Sequence, residues 1–215
     1  MRVPRAGKVA GIVLLLVAAA GAAAVYSRGS REVTTSSEEA YQAWRGAIEN
    51  ERRFYYKEAR VGFARALELD PQFAMAMIGL ARNSEKEQRI ALTQRANRER
   101  GRLTDHERLH IDLTLAANDH DEKKFATIAR TLHERYPNDM RAATVLARLE
   151  IDAGHTDRAL EIFADLLARE PNNAEAYNQV GYYYGYRGDY EKAILNLKKY
   201  QFMAPDQANP YDSLG

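Results

Sequence analysis

Residues 174–207 read AEAYNQVGYYYGYRGDYEKAILNLKKYQFMAPDQ, and the 34 residues before them, 140–173, carry the same pattern. Gly181 falls over Ala147, Gly188 over Gly154, Ala193 over Ala159, Leu197 over Phe163, and Pro205 over Pro171. A fixed period of this size marks a repeat architecture. The prolines extend it: Pro71, Pro137, Pro171 and Pro205 are separated by 66, 34 and 34 residues. With each unit numbered from 1, the segment quoted places Tyr177, Val180, Gly181, Tyr184, Gly188, Tyr190, Ala193, Leu197 and Pro205 at positions 4, 7, 8, 11, 15, 17, 20, 24 and 32.

Run backwards, the register gives a first unit over 40–73, with Ala59, Phe63, Ala66 and Pro71 at positions 20, 24, 27 and 32. Between lie two degenerate units. Residues 74–105 lack the glycines and the proline, and 106–139 is recognisable by Leu109, Leu113, Ala126 and Pro137. Run forwards, Ala208 opens a sixth unit, with Tyr211, Leu214 and Gly215 at positions 4, 7 and 8. A half-formed helix without its partner has little to offset nucleation. The sequence is therefore expected to be a truncated form of a longer chain, with 208–215 frayed and the second helix of unit five incompletely covered.

Each position has a physical reason. Small residues at 8 and 20 let two antiparallel helices approach, and larger ones at 7, 11, 17 and 24 fill the space beside them. Glycine at 15 takes a left-handed helix cap without steric cost. Proline at 32 stops the second helix from continuing.

The pattern resembles the tetratricopeptide repeat, a helix-turn-helix unit whose signature runs aromatic, Leu-Gly, Tyr, Ala, Phe and Pro. The resemblance covers Ala40 to Gly215 and implies an all-α fold, a right-handed superhelical solenoid of antiparallel helix pairs. It also implies a concave groove lined by positions 2, 5, 9, 12 and 13. At positions 5 and 9 stand Trp44 and Ile48, Ile78 and Arg82, His110 and Thr114, Thr144 and Arg148, and Asn178 and Tyr182. Chaperone-binding members of the family clamp a peptide's carboxylates with Lys and Asn there, and this sequence departs from that clamp. Arg82, Arg141, Arg148, Asn178, Tyr182 and Tyr186 are the candidate partner-binding residues, the arginines for acidic or carboxylate-bearing segments and the tyrosines as amphipathic anchors. Tyr177, Tyr184 and Tyr190 are expected in the core.

The N-terminus points to a membrane. Arg2, Arg5 and Lys8 precede an uncharged run, VAGIVLLLVAAAGAAAVY, from Val9 to Tyr26. Eighteen residues rise about 27 Å as a helix, close to the roughly 30 Å hydrocarbon core. The run reads as a transmembrane anchor, or alternatively as a signal peptide cleaved near Ala24, where small residues cluster. Either way the repeats are exported, and the leading basic residues keep the N-terminus cytoplasmic. The expected location is the cytoplasmic membrane, single-pass, with the repeats extracytoplasmic. Residues 27–37, SRGSREVTTSS, form a polar linker, and the repeat domain spans 38–215. Ser36 and Glu39 fit a capping box that opens its first helix.

Composition narrows the chemistry. There is no cysteine, which excludes disulfides, thiolate metal sites and cysteine nucleophiles. The first 30 residues hold four basic residues and no acid, leaving 27 basic against 30 acidic in the remainder. A net charge of −3 there does not suit nucleic acid, and the basic segment RIALTQRANRERGR, 89–102, has no aromatic to stack a base. No glycine-rich phosphate loop is present.

His106-Glu107-Arg108-Leu109-His110 has the H-E-x-x-H spacing, which on a helix brings two imidazoles to one face for zinc and offers glutamate as a general base. The surroundings argue otherwise. His120, Glu122 and His133 are candidates for a third ligand, none at a justified spacing, and Thr104 with Glu107 forms a capping box that occupies the glutamate. No metal, cofactor or catalytic residue is therefore expected.

Residues 38–76 and LTDHERLHI, 103–111, also resemble exported or C-terminal repeat regions of bacterial membrane-anchored regulators and kinases in this family. No kinase or winged-helix signature accompanies them. The leading reading is a non-enzymatic, membrane-anchored scaffold that binds a partner peptide or protein. The alternatives are the repeat part of a larger signalling or regulatory membrane protein and, distantly, a zinc peptidase.

Overall fold

The computed structural model describes residues 33–205. The basic segment 1–8, the apolar run 9–26, most of the linker and the incomplete sixth unit 208–215 lie outside the described residues. The chain divides into two units, 1–34 and 35–215, and everything below concerns the second. Among the described residues there are ten α-helices and no strand. No helix among them is long and apolar enough to cross a membrane.

The helices form five antiparallel pairs: α1 (Glu38–Arg52) with α2 (Tyr56–Leu69), α3 (Ala74–Arg82) with α4 (Lys86–Arg98), α5 (Asp105–Asn118) with α6 (Glu122–Arg135), α7 (Met140–Asp152) with α8 (Thr156–Arg169), and α9 (Ala174–Arg187) with α10 (Tyr190–Met203). Each pair also meets the next, through α2 and α3, α4 and α5, α6 and α7, and α8 and α9.

Side-chain caps start most of these helices. Asp121, Asp139, Asn173 and Asp189 each accept a hydrogen bond from the backbone N–H three residues on, satisfying a donor that has no partner inside the helix. Thr104 and Glu107 form the full reciprocal box at α5. At α1 the expected box is displaced by one residue: Ser37, not Ser36, is the cap and accepts from Ala40 N. The reason lies upstream, where Asp70 Oδ2 accepts from Thr35 Oγ1 at 2.6 Å and from Ser36 N at 3.3 Å, tying both residues to the end of α2.

Close approach within pairs rests on small residues. A Cβ built on Gly181 would stand 2.6 Å from Leu197 Cγ and 3.4 Å from Ala193 O, so positions 8, 20 and 24 do meet as the pattern implies. Ala47, Ala59, Ala81, Ala147 and Ala159 are likewise buried. In the third pair the small interior residues are Ala116 and Ala129, while Ala126 is only half-buried. Leu113 and Leu132 fill the space around them, with Leu109 at the edge.

The tyrosines differ from expectation. Tyr177 and Tyr184 are partly buried against core clusters, but Tyr190, the first residue of α10, is exposed. Tyr183 takes the interior place, its ring 5.7 Å from that of Phe163. Ile194, Leu195 and Phe202 of α10 are exposed as well.

Position 15 is left-handed in four of the five units. Gly154 and Gly188 have φ of 82° and 83°, and the non-glycines Phe54 and His120 hold φ of 64° and 56° at the equivalent turns. A side chain there costs about 1 kcal/mol.

Three substitutions separate these effects. Gly181→Val should cost about 1–3 kcal/mol by overpacking against Leu197. Gly185→Ala, whose Cβ would meet nothing within 4 Å, should stabilise by about 0.5–1 kcal/mol. His120→Gly, at an exposed turn, should stabilise by about 0.5 kcal/mol or more. Urea denaturation of each variant measures all three.

Candidate interaction groove

The stack curls until its first corner meets its last pair. The ring of Phe54, in the α1–α2 turn, lies 5.6 Å from that of Tyr200 on α10, and Arg52 Nη2 lies 3.8 Å from Glu170 Oε2 at the end of α8. The inward faces of the first helices of the units therefore line an enclosed groove.

Charge is concentrated there. Arg82, at the end of α3, donates from Nη2 to Glu51 Oε2 at 2.5 Å and from Nε to Glu51 Oε1 at 3.2 Å, and Asn83 Nδ2 donates to Oε1 at 2.9 Å. Burial opposes ionisation of Glu51, but Arg82 outweighs it and holds the carboxyl below its ordinary value. Arg141, on the first turn of α7, feels the same field differently. The residue as a whole is exposed, yet its guanidinium has no carboxylate within ion-pair distance among the described residues. Enclosure and then the neighbouring Arg82 push its pKa down, with Glu51, Glu175 and Asp139 pulling the other way.

Glu175, on the first turn of α9, is raised to about 7, first by burial and then by the charge of Glu51. Tyr56, at the start of α2, is pushed up to about 12 by burial, Glu175 and Glu51. Four helices from four different pairs thus place Glu51, Arg82, Arg141 and Glu175 in one electrostatic site.

Of the candidate binding residues, Arg82 is committed to Glu51, and Asn178 is 4% exposed, with no partner for its Oδ1 among the described residues. Asn178 does not reach the groove surface because position 5 lies beneath it: Ile78 and His110 at the same position are buried too. Arg148 and Tyr186 are exposed, Tyr182 is 37% exposed, and both Arg148 and Tyr186 act on the hydroxyl of Tyr183. They make a second patch along α7 and α9. Glu51 and Glu175 were missed in the sequence, although they stand at positions 12 and 2, both groove positions of the resembled family.

A second cluster adjoins the first. His106 and His110 on α5 both direct Nε2 at Asp139 Oδ2, at 2.6 and 2.5 Å, and their Nε2 atoms are 3.2 Å apart. Despite burial, the two imidazoles hold Asp139 well below the usual carboxylate range, and burial pushes His110 down. These three offer donor atoms within 4.8 Å of one another and could hold a metal ion. His120, Glu122 and His133 are not part of the cluster. Glu107 is fully buried and accepts at Oε2 from Thr104 N and Thr104 Oγ1, at 2.8 and 3.0 Å.

Residues 126–180, from α6 into α9, match the family model for the tetratricopeptide repeat. This segment is similar to the tetratricopeptide repeat. The matched segment is about a quarter of the chain, and the fold likeness extends further. The structure of the APC/C hetero-tetramer Cut9–Hcn1 is 19% identical over 82% of this chain and 36% of that one, with a TM-score of 0.54. YrrB, described as a TPR protein with an unusual peptide-binding site, is 20% identical over 89% of this chain and 97% of that one, with a TM-score of 0.47. MamA from Desulfovibrio magneticus RS-1 is 15% identical over 84% of each chain, with a TM-score of 0.40. No curated protein matches the sequence significantly. The matched segment and the fold likeness agree on an all-α stack of helix pairs.

The raised Glu175 makes a signed prediction. A carboxyl whose folded pKa exceeds its unfolded one adds stability that is full below about 4.5 and lost as pH rises through about 7. Glu175→Gln stays neutral. It should match the parent near pH 4 and exceed it at pH 8 by about 1–2 kcal/mol, discounted for solvent in the groove. Chemical denaturation at the two pH values measures the difference.

Proposed function

We propose that this chain is a non-enzymatic scaffold whose groove takes a carboxylate-bearing peptide segment of a partner protein. Arg141 carries the reading. An exposed arginine whose charge lies beside a second guanidinium, without an ion-pair partner among the described residues, is an electrostatic site that a carboxylate would complete. Arg82 cannot serve in that way, since Glu51 already occupies its fork. Arg148, Tyr182 and Tyr186 would extend the contact along α9, the tyrosines covering an apolar part of the segment.

The scaffold is further read as membrane-anchored through residues 9–26, with the repeats outside the cytoplasm. Basic residues before an uncharged run of membrane-spanning length support this. Protease added to spheroplasts should digest the repeats without lysis; repeats protected until lysis would reverse the topology.

The groove is tested with an array of peptides of graded acidity. Acidic or C-terminal-carboxylate peptides should bind the full chain, and Arg141→Ala should weaken them by about tenfold or more, the scale of a lost charge-assisted contact. Tyr186→Ala should weaken the same peptides while leaving the preference for acid intact. Binding that ignores peptide charge, or that survives Arg141→Ala, would place the partner elsewhere.

A further inference from the structure

We propose that His106, His110 and Asp139 form a binding site for a single divalent transition-metal ion of the zinc class, joining the third repeat to the fourth. Two histidines four apart on one helix present their rings on the same face. Here the rings do more than share a face, because both Nε2 atoms converge on one carboxylate oxygen. Two imidazoles and one carboxylate around a point suit zinc and its neighbours; magnesium and calcium prefer all-oxygen shells.

The distances are near those required. Zinc held about 2.0–2.1 Å from each donor in a tetrahedral shell needs donors about 3.3 Å apart. The two Nε2 atoms are already 3.2 Å apart, while Asp139 Oδ2 lies 2.6 and 2.5 Å from them. The carboxylate oxygen has to withdraw by less than about 1 Å, a movement that rotation about its terminal bond supplies. Asp139 is steadied for this by its other oxygen, which accepts from Ala142 N at 2.9 Å as the cap of α7, in the way carboxylate ligands are oriented by their remaining hydrogen bonds. His106 is oriented by Tyr136, whose ring centroid lies 4.4 Å away. The partly exposed His106 side chain gives the ion a route in, and three protein ligands leave a fourth position for water or a ligand atom.

The same geometry separates binding from hydrolysis. In a zinc peptidase of this spacing the glutamate after the first histidine activates the water. Glu107 instead closes the capping box with Thr104 and is fully buried. The site therefore binds metal and braces α5 against α7 without the base a peptidase needs. Arg82, which acts on His110 electrostatically, opposes a second positive charge. The affinity is accordingly expected in the micromolar range and not at the level of an all-cysteine site.

Zinc titrated into the metal-free full chain at pH 7.5, followed by isothermal calorimetry, should show one site per chain. It should also raise the unfolding temperature, since an ion that binds only the folded form stabilises it. His106→Ala, the least buried ligand, should weaken binding at least tenfold with an unchanged circular dichroism spectrum. His110→Ala and Asp139→Asn should do the same, and cobalt in place of zinc should give the visible absorption of a four-coordinate nitrogen and oxygen site. No binding up to millimolar zinc would overturn the proposal. So would binding that His106→Ala and His110→Ala leave intact, which would place the ion elsewhere.

Discussion

The carboxylate of Glu51 is the constraint on which the inner face depends. It receives both nitrogens of the Arg82 fork and the Asn83 amide, so the end of α1 is tied to the end of α3. A largely buried ion pair of this kind adds little when compared with an apolar pair, but removing one partner strands the other at a cost of about 3–5 kcal/mol. Its consequences spread because its charge acts on the other ionisable groups around it. The charge that satisfies Arg82 also raises Glu175 and Tyr56 and leaves Arg141 facing a cation that is already satisfied. One strong pair thereby leaves Arg141 without an ion pair among the described residues, and the proposal of a carboxylate ligand rests on that asymmetry.

Much of the fold was legible because the repeat pattern reports short-range packing. Gly181 against Leu197, and glycine at the left-handed turns of units four and five, follow from single-residue sterics at fixed spacing. The capping box at Thr104 and Glu107 was legible for the same reason, as a local motif of four residues. The groove was only partly legible. Its charged residues sit at the expected positions, but which of them are free depends on pairings across units, and Glu51 with Arg82 spans 31 residues. Asn178 illustrates the limit: its repeat position follows from the period, whereas its burial follows from packing that the period does not specify.

Curling of the stack is the feature no periodicity could supply. It is visible in Phe54, a large residue in a conformation that glycine prefers. The cost of that backbone is offset by the rings it meets, Tyr200 at 5.6 Å and Tyr56 edge-on at 5.9 Å. Glycine at this turn, as in units four and five, would relieve the backbone and leave nothing to reach α10. The first unit departs from the repeat pattern at the residue that joins it to the last, and local strain is commonly retained where it serves such a contact.

Asp139 shows how one residue can satisfy a repeat and something further. As an N-cap it is interchangeable with Asn173 and Asp189, which hold the same place in the helices they start and accept the same backbone bond. A cap uses one carboxylate oxygen. At Asp189 the second oxygen pairs with Lys192 Nζ at 2.8 Å, but at Asp139 it meets two imidazoles whose spacing along α5 brings them to a single point. The H-E-x-x-H segment supplied two ligands and no credible third within its own helix, because the third stands 29 residues on, at the end of the unit, where it caps the first helix of the next repeat and is recognisable in the sequence only as a helix start. Sites assembled between repeats escape motif reading for this reason: each half is explained by the repeat alone, and only the stacking of one unit on the next brings the donor atoms together.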